Sequence, residues 1–160
     1  MSDSYQWRRN FIALVEDVFR DLGFSPPAMT HDVEAPLAME IEVDDIVFEV
    51  VHSSRDRPDK ILIECHFGQP PVDRATDVLN KVLQVNLSLA RAHEPAFGVD
   101  MTTGDVIYAF HEPLESMSAR ELMDAMKQAA VQAKEWRMNY FFDEAAPPNT
   151  PTSMQFETLA

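Results

Sequence analysis

The chain carries 27 acidic and only 13 basic side chains in 160 residues, a formal net charge of −14. That field repels nucleic acid and anionic membrane surfaces, so the expected partner is a protein with basic character. One cysteine, Cys65, excludes an intrachain disulfide, the start MSDSYQWRRN lacks a signal peptide's apolar stretch, and no apolar run approaches the roughly 20 residues that cross a bilayer, so a soluble cytoplasmic protein is predicted.

A first helix is predicted from Ser4 to Leu22. Trp7, Phe11, Leu14, Val15, Val18 and Leu22 share one face, and Arg9, Glu16, Asp17, Arg20 and Asp21 lie opposite. Tyr5, Ile12 and Phe19 widen the apolar arc to one side. Gly23 followed by Phe24 predicts a left-handed stop with a hydrophobic contact, and residues 25–36 a loop.

Strands follow. Leu37, Met39, Ile41 and Val43 alternate with Ala38, Glu40 and Glu42, Asp44-Asp45 turns the chain, and Ile46, Phe48 and Val50 alternate with Val47, Glu49 and Val51. A two-residue turn would pair Val43 with Ile46 and Ile41 with Phe48. A third strand carries Ile61, Ile63, Cys65 and Phe67 on one face and Leu62, Glu64 and His66 on the other.

Gly68-Gln69-Pro70-Pro71 ends that strand, and Pro71 suits the first turn of a second helix. At 100° per residue, Val78, Leu79, Val82, Leu83, Val85, Leu87 and Leu89 spread over an arc of roughly 200°, twice the stripe that one core contact needs. The helix should therefore pack on a sheet with one side and on something else with the other. Asn86 sits inside the arc and needs partners, either backbone of the following turn or a second subunit. After His93-Glu94-Pro95 breaks the helix, Phe97, Val99 and Met101 alternate up to Thr102-Thr103-Gly104-Asp105, and Val106, Tyr108 and Phe110 alternate down from it, a hairpin. Ser118 and Glu121 have capping-box spacing, with Met117 placed to staple onto Leu122. The third helix runs to about Asn139 with Leu122, Met126, Ala129, Ala133 and Trp136 on one face. Residues 143–160 have no period and three prolines, and are predicted to be a mobile tail. The order α-β-β-β-α-β-β-α predicts a single α+β domain over residues 1–142, a mainly antiparallel sheet packed against helices.

Chemistry is sparse. There is no Gly-rich phosphate loop, Walker lysine, zinc spacing or nucleophile elbow, and no cofactor is expected. Cys65 and His66 are neighbours on a strand, so they point to opposite faces and cannot form a dyad; Cys65 reads as core. His31, His52, His66, His93 and His111 are scattered without ligand spacing, so no metal is expected. Glu40, Glu42, Glu49 and Glu64 share the outer sheet face, more in keeping with a footprint for a basic partner than with a catalytic pair, which needs a pocket. Met29, Met39, Met101, Met117, Met123, Met126 and Met138 could furnish an adaptable apolar surface, although Met39 and Met126 read as core.

The run LNKVLQVNLSLARAHEPAFGVDMTTGDVIYAFHEPL, the capped helix SARELMDAMKQAAVQAKEW, the amino-terminal amphipathic helix ending in Leu22-Gly23 and the acidic composition resemble the class I type III secretion chaperones, the Tir-chaperone (CesT-like) family. The resemblance spans about Ser4 to Phe142. It implies a homodimeric, ATP-independent chaperone of the bacterial cytosol, not an enzyme, that holds the amino-terminal segment of a secreted effector in extended form and keeps it export-competent. Carried onto this sequence, it places the dimer contact at Val78, Val82, Val85, Asn86, Leu89 and Phe97, and effector binding at Tyr5, Ile12, Phe19, Val47, Val51 and Leu62. The competing readings are a regulatory module of the same fold acting on a cytoplasmic partner, a small hydrolase using Cys65 or the outer carboxylates, and a structural assembly subunit.

Overall fold

Alternation in the first half of the chain resolves, in a computed structural model that describes residues 2–90 and 95–142, into a three-stranded meander: β1 (Leu37–Val43), β2 (Ile46–His52) and β3 (Lys60–Gly68). The Asp44-Asp45 turn has positive φ at both residues, 51° and 64°, the type I′ geometry whose twist suits a hairpin. It sets Val43 opposite Ile46 and Ile41 opposite Phe48, as the alternation requires. One face of the meander, with Met39, Val43, Ile46, Phe48, Val50, Ile61, Ile63, Cys65 and Phe67, is buried.

Helix α1 (Ser2–Asp21) precedes the meander and closes with a Schellman stop: the Gly23 N–H donates to Arg20 O at 3.0 Å and the Phe24 N–H to Phe19 O at 2.8 Å. Helix α2 (Ala75–Ala90) begins one turn later than Pro71, because Val72–Arg74 form a 3-10 turn first. It leads to β4 (Ala96–Val99) and β5 (Val106–Pro113), which join the sheet in the order β1-β2-β3-β5-β4, every neighbour antiparallel. The β4 strand is shorter than its alternation suggests. Asp100 ends it by accepting the Thr102 N–H on its own carboxylate at 2.7 Å and the Gly104 N–H on its carbonyl, also at 2.7 Å, which leaves Met101 95% exposed in the loop. Helix α3 (Ala119–Asn139) starts at the capping box between Ser118 and Glu121.

The inner sheet face, α1 and α3 bury one core, in which Phe11, Leu14, Val15 and Val18 meet Leu122, Met126, Ala129, Ala133 and Trp136. Small residues on α3 permit close approach, and the Cys65 Sγ lies 3.9 Å from Ala129 O. The sheet's outer face has no helix over it among the described residues, which makes a two-layer α+β sandwich. The expected tail, 143–160, and His93-Glu94 lie outside the described residues.

Candidate protein-binding site

Register turns the outer face into ordered rows. Glu40 faces Glu49, Glu49 faces Glu64, Glu64 faces Ala109 and Ala109 faces Ala96, so one row crosses all five strands with three carboxylates at one end. Beside it run Ala38, Val51, Leu62 and His111, and on its other side Glu42 faces Val47. Like charges on facing strand positions oppose folding. Partial burial, and next the Glu49 charge, push the Glu64 carboxyl above its usual value. Val47, Val51 and Leu62 are half-buried beside these acids. The face can therefore contact apolar and basic side chains at once.

The remaining effector-contact candidates lie on the opposite layer, in α1. Tyr5 is 54% exposed, Phe19 packs partly on the core, and Ile12 is only 6% exposed, with little surface to offer a partner. The structure thus splits the six into two separate surfaces.

The wide apolar arc of α2 also divides. Val78, Val82 and Val85 enter the core of this same chain, Phe97 is buried with them, and Leu89 packs partly against it. What α2 leaves uncovered are Leu83 and Leu87, 63% and 62% exposed and one helical turn apart. Asn86 takes the backbone alternative: its Nδ2 donates to Phe97 O at 2.7 Å, and the Phe97 N–H donates to its Oδ1 at 2.6 Å. The amide stands in for a neighbouring strand along the free side of β4. At that position the β4 edge is closed, whereas β1, the other end of the sheet order, has no strand beside it among the described residues.

One polar cluster had no pattern to announce it. Arg8, fully buried in α1, donates from Nε to His52 Nδ1 at 3.2 Å and from Nη2 to Ala35 O at 2.7 Å. The other His52 nitrogen then donates to Pro58 O at 2.9 Å, and Phe11 stacks on the ring at 5.4 Å. Burial holds the imidazole below its ordinary pKa, with Arg8 adding to the effect, so the ring is neutral. The cluster ties α1 to both loops that flank β1 and β2.

Of the catalytic candidates, the Cys65 and His66 side chains are not brought together among the described residues. Burial drives the Cys65 thiol far above the range where a thiolate forms. His66 instead faces Asp105 at 3.5 Å, and no cluster of metal-ligating side chains occurs among the described residues. Nor is any described helix long and apolar enough to cross a membrane.

The sequence matches a known family. The model of the Tir chaperone protein (CesT) family matches residues 13–137. The chain belongs to that family. The family is one of chaperones, not of enzymes. Similar solved structures agree on the fold. One is the HopA1-SchA chaperone-effector complex, with 19% identity over 82% of this chain and 95% of that one and a TM-score of 0.59. Another is the ExsC-ExsE complex, with 13% identity over 81% and 92% and a TM-score of 0.62. A third is the Yersinia pestis type III secretion chaperone SycH with a stable fragment of YscM2, at 12% identity over 78% and 98% and a TM-score of 0.54. Comparison with curated protein sequences finds no match.

Proposed function

We propose that this CesT-family protein is a type III secretion chaperone that binds the amino-terminal segment of a secreted effector in extended form, as a homodimer in the bacterial cytosol and without catalysis. The observation that carries the reading is the family match across 13–137, which spans every strand, all of α2, most of α3 and the carboxy-terminal part of α1. Solved structures of the same fold include a chaperone-effector complex.

Two features of this chain support it physically. An extended segment satisfies its backbone by adding to a sheet edge while its side chains enter surface pockets; β1 offers such an edge, and Asn86 closes the β4 side at Phe97. The acidic and apolar outer face, with Val47, Val51 and Leu62 among the glutamates, suits a basic amphipathic segment. For the dimer, Leu83 and Leu87 supply the uncovered apolar surface of α2, beside Asn86 and Leu89.

Affinity capture of the tagged protein from its native cytosol, with bound chains identified by mass spectrometry, tests the reading. The expected partner is an exported protein, held through its amino-terminal region. Recovery of resident cytosolic proteins alone overturns the secretion role and favours a regulatory module of the same fold.

A further inference from the structure

Alternation along β5 brings Tyr108, Phe110 and then Glu112 to the core side, where Glu112 faces the fully buried Ile61. A carboxylate is an expensive residue at an inward position unless something answers its charge. Ala125 and Ala129 of α3 lie across from it, and their small size leaves a half-open pocket of about 410 Å³ between strand and helix. Tyr108, Phe110 and Glu112 line it from one side, and Gln128 and the buried Gln132 from the other. Among the described residues no group hydrogen-bonds or ion-pairs with the Glu112 carboxylate, and burial alone raises its pKa. Lys60 also lines the pocket, yet its ammonium makes no contribution to that shift.

We propose that this pocket receives an arginine side chain from a bound protein segment, with Glu112 as its counter-ion. A guanidinium suits the lining better than an ammonium does. It is planar and can lie against the Tyr108 and Phe110 rings, whose centroids are 5.4 Å apart, while it presents two N–H groups to one carboxylate. The Gln132 amide oxygen can accept a further N–H. A chain of net charge −14 draws cationic segments to its surface in the first place. The inference holds whichever protein supplies the arginine, and so stands apart from the secretion reading.

The test is an amide-resonance titration of the ¹⁵N-labelled protein with N-acetyl-L-argininamide and with the neutral citrulline analogue of the same shape. Saturable shifts at Tyr108, Phe110, Gln128 and Gln132 are expected from the arginine compound alone. Glu112→Gln should weaken that binding about tenfold or more, the worth of one charge-assisted bond, and Ala125→Leu should block it by filling the space. Glu49→Gln, on the outer face, should leave it unchanged. Equal response to the citrulline analogue, undiminished binding by a folded Glu112→Gln protein, or shifts confined to the outer-face strands would overturn the proposal.

Discussion

Asn86 shows how much can depend on one amide. Both of its polar atoms bond the backbone of Phe97, in part-buried positions where the loss of a partner leaves donor and acceptor unsatisfied. Asn86→Ala is expected to lower stability by about 2 kcal/mol in urea unfolding and to open the β4 edge to exchange. Glu64 acts in the opposite sense. Its folded pKa lies above the ordinary 4.5, so the charged form is the one that costs stability, and protonation on acidification through the folded pKa relieves it. Glu64→Gln should therefore stabilise by about 0.5 kcal/mol at neutral pH, allowing for solvent screening, with the gain vanishing as pH approaches 4.5. For His52 the sign is reversed. The folded ring titrates below its ordinary 6.5, the unfolded chain takes the proton first, and stability present above 6.5 is lost as pH falls through the folded value. His52→Gln should be less stable at neutral pH yet flat across that window, as urea midpoints at a series of pH values will show.

At the scale of elements, the period-2 and period-3.6 patterns carried most of the fold. The meander's register, the Schellman stop after α1 and the Ser118 capping box all follow from local chemistry that a sequence displays. Ser118→Ala should cost about 1 kcal/mol through the α3 terminus, measurable by thermal unfolding. Tertiary choices were less legible. The roughly 200° arc of α2 announces two faces but not which residues take each. Strand β4 stops at Val99 because Asp100 caps its own loop, which a run of alternating apolar residues hides. The Arg8–His52 pair joins positions 44 residues apart, a polar contact without any spacing rule, and Glu112 looks like one more surface acid until the strand's inward phase is known. The division of α2 makes a sharp pair of variants. Val82→Glu buries a charge in this chain's own core and should unfold it, at a cost of several kcal/mol. Leu83→Glu lies in solvent and should leave the melting temperature of the folded chain intact while it dissociates the proposed dimer, as sedimentation will register.

At the scale of the whole molecule, the fold divides its labour. Helices α1 and α3 close one side of the sheet, α2 closes the β4 edge at Phe97, and among the described residues no element covers the opposite sheet face or the β1 edge. Charge adds reach to that geometry. With a net charge of −14, encounter with a basic segment is steered from a distance and falls as salt shortens the screening length. The measurement that tests the account most directly is the light-scattering mass of the purified protein, alone and carrying the amino-terminal segment of its captured exported partner. The account predicts two copies of this chain in both states, with one segment added in the second. A monomer, or a dimer that takes up no such segment, would contradict it.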